Sequence, residues 1–291
     1  MRRNGGAVVS SPLRLAWFSD LHVGSTVGLW PGKHRIEGGG TYEANAYQKW
    51  LYECWQDAVA EIQSLDGPVI GVLNGDVIQG VNMRDGQLIT NKIDIQVQAA
   101  QKLLAPLIER FDKFYMIRGT EWHEGKASEH VEILGQLLGA EPDPASGQYS
   151  RWEMYLEVAP DVVIHTAHHI GTSSVPWYEA TIPLRELLMQ LAELSRFFSE
   201  KAPQVKLVMR SHRHRGIGVW APPDIQVYVT PAWQLKTAFA HKRATATLPQ
   251  IGYMLVEWDG TDLTVKPRVY PLPPPDIERL PAEIVRLSDA A

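Results

Sequence analysis

Apolar side chains fill Leu13, Leu15, Ala16, Trp17 and Phe18, and the run then ends in Ser19-Asp20-Leu21-His22. A short continuous apolar run of this kind predicts a buried strand that delivers polar groups at its C-terminal end. PVIGVLNGD (68–76) repeats the pattern and ends in Asn74, Gly75 and Asp76, and Lys113 to Arg118 repeats it again before the loop GTEWHEG. Between these runs the period changes. Ala46, Trp50, Leu51, Cys54, Ala58, Ile62 and Leu65 recur at three and four, which predicts an amphipathic helix stopped by Asp66-Gly67-Pro68. Ala99, Leu103, Leu104, Leu107 and Ile108 mark a second helix over about 93–110, with a bend expected at Pro106. A shorter helix is expected from Ser128, as N-cap, to Leu138.

Further along, Tyr155 to Val158 and Val162 to Thr166 read as paired strands turning at Pro160-Asp161, and the second runs into Ala167-His168-His169. A helix over about 184–198 and a strand over 205–209 follow, leading into Arg210-Ser211-His212-Arg213-His214-Arg215. The remainder reads as all-β: strands at 226–230, 253–258 and 263–270, the last two joined by Asp259-Gly260, a strong hairpin turn. The Gly-rich stretch from Val23 to Thr41 reads as a long loop shaping access to whatever the strand ends hold. Strand and helix alternate up to about residue 210, which predicts an α/β fold with two sheets packed together between helical layers. One domain is expected over 13–272, between a flexible N-terminus at 1–12 and a Pro-rich C-terminal tail at 273–291.

Composition narrows the class. With 291 residues and 45% hydrophobic content, the chain can bury a large core. One cysteine, Cys54, excludes an internal disulfide, and with no signal-like segment in MRRNGGAVVSSP a cytoplasmic location is expected. No stretch approaches the roughly 18–20 apolar residues of a membrane helix. A formal charge of -5 and a pI near 6.1 argue against a generally basic, nucleic-acid-coating surface but leave room for a local basic cleft.

Five strand exits carry the chemistry: Asp20-x-His22, Gly75-Asp76, Gly119-Thr120 with His123, His168-His169, and His212-x-His214. Each has a plain alternative. Asp76 suits a turn or helix cap, His168-His169 a core histidine beside a solvated one, and His212-x-His214 an anion patch. As a set they point to metal, because ligands leaving several strands converge where open α/β sheets bind their ligands. Asp20, His22 and His214 would hold one divalent ion and His168 and His212 another. Asp76 would bridge them, with Gly75 allowing close backbone approach. Such a pair polarises a phosphoryl oxygen and brings a bridging water toward ionisation, so that no nucleophilic side chain is needed.

The order of these motifs resembles the calcineurin-like metallophosphoesterase superfamily, over about residues 13–216. The resemblance implies a four-layer αββα sandwich of two mixed β-sheets flanked by helices, a hydrolase acting on phosphate esters, and two divalent metal ions. Its metal ligands fall on Asp20, His22, Asp76, His168, His212 and His214, with His168 preferred to His169 and His165 read as structural. One departure stands out. Where the family has Gly-Asn-His, this chain has Gly119-Thr120-Glu121-Trp122-His123-Glu124. Thr120 or Glu121 would replace the amide ligand, or the second site would stay more open. His123 would take the part of the family's histidine that meets the substrate phosphate and protonates the leaving oxygen.

Manganese is the expected metal, and iron or zinc also suits mixed His/Asp ligation. Arg118 and Arg213 are expected to bind substrate phosphate, with Arg210 and Arg215 nearby. Trp30 and Trp122 lie in loops where a base could stack. The expected substrate is a phosphodiester, with DNA or a nucleotide as candidates. A phosphomonoesterase or protein phosphatase is the second enzymatic reading, and a non-catalytic metal- or phosphate-binding module is the rival from another class.

Overall fold

Strand β1 (Leu13–Phe18) alternates its side chains between two hydrophobic layers, and this alternation sets the architecture. Leu15 and Trp17 face a core shared with Met154, Ile164, Leu207 and Met209, whereas Ala16 and Phe18 face a second core with Leu51, Trp55 and Leu103. The computed structural model describes residues 11–81, 86–171, 175, 178–197, 205–221, 225–243, 247–275 and 277–278.

After β1 come a small hairpin of β2 (Lys33–Arg35) and β3 (Thr41–Glu43), helix α1 (Ala46–Ser64), β4 (Val69–Asn74), α2 (Ile93–Ile108) and β5 (Lys113–Ile117). The short α3 (Glu121–Glu124), α4 (Glu129–Leu138), β6 (Glu153–Ala159), β7 (Val162–Ala167) and α5 (Thr181–Phe197) follow. The chain continues through β8 (Val205–Arg210), β9 (Ile217–Ala221), β10 (Ile225–Val229), α6 (Ala238–Arg243), β11 (Ile251–Trp258) and β12 (Leu263–Tyr270).

Two five-stranded mixed sheets result, ordered β12-β11-β1-β4-β5 and β6-β7-β8-β10-β9. Strands β1, β4 and β5 run parallel to one another, as do β7, β8 and β10, while β11, β12, β6 and β9 pair antiparallel. The first sheet carries α1, α2 and α4 on its outer face, and α5 covers the second through Leu187 against Val163, Val205, Val208 and Val227. This is the four-layer αββα sandwich of two mixed β-sheets expected from the sequence. Among the described residues no helix is long and apolar enough to cross a membrane.

Helix α1 begins with a capping box: Asn45 accepts from the Gln48 N–H, and the Gln48 side chain accepts from the Asn45 N–H. Four local expectations are corrected. Ser128 makes no side-chain cap to α4, since its φ of 55° is left-handed and its N–H bonds the Gly125 carbonyl. The Gly-rich stretch is not a plain loop but folds back as the β2–β3 hairpin. The C-terminal part is interrupted by helix α6. Trp30 is wholly buried in the outer core against Tyr42, so no base can stack on it. The N-terminus at 1–10, the segment holding Trp177 and most of the Pro-rich tail lie outside the described residues.

Candidate metal centre

Because β1, β4, β5, β7 and β8 all end at the same edge of the sandwich, their exits meet. Three sets of ligand atoms each fall within 4.8 Å of one another: Asp20, His22 and His214; His22, Asp76 and His123; and Asp76, His168 and His212. The cluster is backed by strained backbone. Asp20, His22, Asp76, His212 and His214 all have left-handed φ, between 47° and 73°. Such conformations cost about 1–3 kcal/mol each in a non-glycine residue and persist where surrounding structure imposes them, mostly at functional sites.

Distances define the first half. Asp20 Oδ1 lies 3.3 Å from His214 Nε2 and 3.9 Å from both His22 Nε2 and His168 Nε2. His22 Nε2 and His214 Nε2 are 3.2 Å apart. Oxygen and nitrogen ligands about 2.0–2.2 Å from one ion stand roughly 3.0–3.6 Å from each other, so these separations suit a shared cation. Asp20 Oδ1 is buried without a hydrogen-bond donor, although Oδ2 accepts the His212 N–H. A desolvated carboxylate oxygen ringed by imidazole nitrogens is a donor set that fits a borderline divalent metal.

The second half centres on Asp76. His168 Nδ1–H donates to the Asn74 carbonyl at 2.6 Å, which fixes the ring and turns Nε2 toward Asp76 Oδ2, 3.1 Å away. Gly75 and Gly119 are both required here. A Cβ on Gly75 would meet His168 Nδ1 at 2.3 Å, and one on Gly119 would meet Asp76 Oδ1 at 2.2 Å. Thr120 donates its N–H to Asp76 Oδ1 at 2.7 Å and places its hydroxyl 3.1 and 3.3 Å from the two carboxylate oxygens. Glu121 is exposed and joins none of the three sets. His123 stands with its Nδ1 2.7 Å from the Gln79 carbonyl and its ring edge-on to His22.

Electrostatics follow from burial among opposite charges. Burial disfavours both carboxylates' charge, but His168 and the neighbouring imidazoles hold Asp20 and Asp76 well below the usual range. Burial likewise opposes the His168 charge, yet Asp76 and Asp20 carry it up to about 10. His22 and His212 are pushed down to about 4, by burial and by neighbouring His123 and His168 respectively.

His169 is exposed and enters no ligand set, although its ring lies beside His212. His165 sits further back, between Glu153 and Arg210 and stacked on Tyr155. Arg213 lines a cavity beside His212 and His214 and donates to the Glu179 carbonyl. Arg118 is not brought to the cluster: Ser150, Gln148 and Glu132 hold its guanidinium, which packs over Trp152. Arg210 is tied to Glu186 and Arg215 to Glu179. Trp122 is 57% exposed next to His123.

Two features of the site were missed in the sequence. Glu124, fully buried, accepts the Gly119 N–H at 2.6 Å and the Asp76 N–H at 2.9 Å, locking the β4 and β5 exits together. Burial and the adjacent Asp76 charge push its carboxyl up to about 8. Behind the ligands, Ser19, Thr230, Ser211 and Asn74 form a hydrogen-bonded chain across the two sheets. The acidic residue after His123 was the only sequence signal for either feature.

No family model matches this sequence, and none of the curated proteins matches it. Solved structures do. One is a conserved uncharacterized protein of Streptococcus pneumoniae TIGR4, titled a predicted phosphoesterase, with 12% identity, a TM-score of 0.38 and coverage of 90% of this chain and 94% of that one. Another is a dimetal phosphatase from Danio rerio, with 11% identity, a TM-score of 0.43 and coverage of 88% and 96%.

Proposed function

We propose that this chain is a metal-dependent phosphoesterase of the calcineurin-like type that cleaves phosphodiesters with two divalent cations. One observation carries the reading: Asp76 belongs at once to a set with His168 and His212 and to a set with His22 and His123, while Asp20, His22 and His214 form a third. Asp20, His22 and His214 would hold one ion, and His168 and His212 the other, with Asp76 between them. When bound, the ions supply Lewis acidity to a phosphoryl oxygen and lower the pKa of water.

The chain's own residues do the rest. Asn74 and Gln79 orient His168 and His123 through their carbonyls, so that each ring presents Nε2 to the site. His123, its Nδ1 against the Gln79 carbonyl, is the group placed to protonate the leaving oxygen. Arg213, beside His212 and His214, binds a phosphate oxygen. The competing reading, a non-catalytic binding module, draws on Thr120, whose hydroxyl is engaged with Asp76 where the family has an amide ligand.

Hydrolysis of bis-p-nitrophenyl phosphate with manganese, compared with p-nitrophenyl phosphate, tests the proposal. Cleavage of the diester, faster than the monoester, is expected, and Asp76→Asn should lower it by about a hundredfold or more while the chain stays folded. Faster monoester cleavage would indicate a phosphomonoesterase. Inactivity on both esters with manganese, iron and zinc would leave the binding module.

A further inference from the structure

Every side chain that helix α2 buries is apolar except Gln96, which is fully enclosed. An amide in that position costs free energy unless its N–H and C=O groups are hydrogen-bonded, and here they are. Its Oε1 accepts the Gly80 N–H at 2.9 Å, and its Nε2 donates to the Gly80 carbonyl at 3.0 Å and the Thr90 carbonyl at 2.8 Å. Gly24 makes the room, since a Cβ there would stand 2.6 Å from Gln96 Cδ. The amide thus grips Gly80 as a neighbouring strand would. The Gly80 N–H shares one planar peptide unit with the Gln79 carbonyl, and in a trans peptide the two point in opposite directions. That carbonyl accepts from His123 Nδ1 at 2.7 Å. Gly80 also lies against the His123 backbone: a Cβ on it would meet the His123 carbonyl oxygen at 2.3 Å.

We propose that Gln96 is a positioning residue for phosphoester cleavage: by holding Gly80 it aims the Gln79 carbonyl, and through it the His123 ring, at the leaving oxygen. The inference rests on the phosphoesterase reading, in which His123 protonates that oxygen. A carbonyl can only accept, so the contact to Gln79 keeps a proton on Nδ1 and leaves Nε2 as the nitrogen that exchanges one. The carbonyl is fixed from both sides. On one, Gln96 takes the Gly80 N–H; on the other, the Gln79 N–H donates to the Val23 carbonyl at 2.8 Å. A partner held in this way restricts the ring's swing, and a misplacement of about 1 Å at a reacting group can cost about a hundredfold in rate.

Gln96→Met, which keeps the volume and removes the amide, tests the role on two diesters with manganese. The leaving group of bis-p-nitrophenyl phosphate departs with little help, whereas that of diphenyl phosphate needs its oxygen protonated. The loss of kcat should be about tenfold or more greater on diphenyl phosphate, with KM on both esters within about threefold of the wild type. His123→Ala should show the same asymmetry, and the double variant should not deepen it. Gln96→Asn, whose amide falls one methylene short of Gly80, should share the pattern and serves if Gln96→Met does not fold. Independently of catalysis, the His123 Nδ1 proton should give a downfield ring N–H resonance in the isotope-labelled chain held in EDTA. His123→Ala assigns it by its absence, and Gln96→Met should lose it. Equal losses on the two esters, no such resonance in the wild type, or an unchanged resonance in Gln96→Met would each overturn the role. If the wild-type chain cleaves neither ester, the phosphoesterase reading falls, and the ring resonance alone decides whether Gln96 sets His123.

Discussion

Thr120 gives Asp76 Oδ1 two contacts, a backbone N–H at 2.7 Å and a hydroxyl at 3.1 Å. A threonine that acts through the carboxylate adds no neutral oxygen of an amide's reach to the second ion. The site around His168 and His212 should therefore hold its ion less tightly than the site around Asp20. Isothermal titration with manganese should show two unequal affinities, and Thr120→Asn should tighten the weaker by about tenfold. Two ions retained through extensive dialysis of the wild-type chain would count against this account.

Metal should also stabilise the fold. Without a cation, Asp20 Oδ1 is buried with no donor and five candidate ligand residues sit in left-handed backbone. These costs are borne in the native state, where a ligand that binds only the folded chain offsets them. At a free metal concentration of about 100 Kd the gain is about 2.7 kcal/mol, or roughly 5–10 °C in Tm for a domain of this size. Scanning fluorimetry with manganese and with EDTA checks this, and equal Tm values would contradict it.

The strand exits were legible because aspartates and histidines interrupt apolar runs at the same point of each β-to-loop transition, as at Phe18 to Asp20. The layers were legible from period-two alternation, as with Ala16 and Phe18 against Leu15 and Trp17. What stayed hidden was direction and distance. Arg118 follows β5 as closely as Thr120 does, but sequence proximity does not say that its side chain turns to Ser150. Ser19 meets Thr230 across 211 positions with no pattern to announce the pair. Trp30 looked like a loop aromatic because the hairpin that buries it is only three residues per strand.

Glu124 should matter for the shape of the site more than for its charge. Its two oxygens accept one N–H each, from Gly119 and Asp76. Glu124→Gln would turn an NH2 group toward one of those donors, leaving a buried N–H unsatisfied at a cost of about 1–3 kcal/mol. Urea denaturation in EDTA should show that loss in the midpoint with an unchanged slope. A variant as stable as the wild type would mean that the loop closes without this carboxylate.

Arg210 and Arg213 flank the same histidine but should behave differently. Arg210 is buried, donates through Nε and Nη2 to Glu186 Oε1, and also reaches His165, so it ties α5 to β8. A lysine has neither the reach nor the fork to keep those bonds, so Arg210→Lys should lower stability by about 1–3 kcal/mol. Arg213 makes one bond to a backbone carbonyl and lines the cavity at His212. Arg213→Lys should leave stability within about 0.5 kcal/mol and raise KM for the phosphate ester. Thermal melts and steady-state kinetics on both variants separate the roles, and a KM effect confined to Arg210→Lys would reverse the assignment.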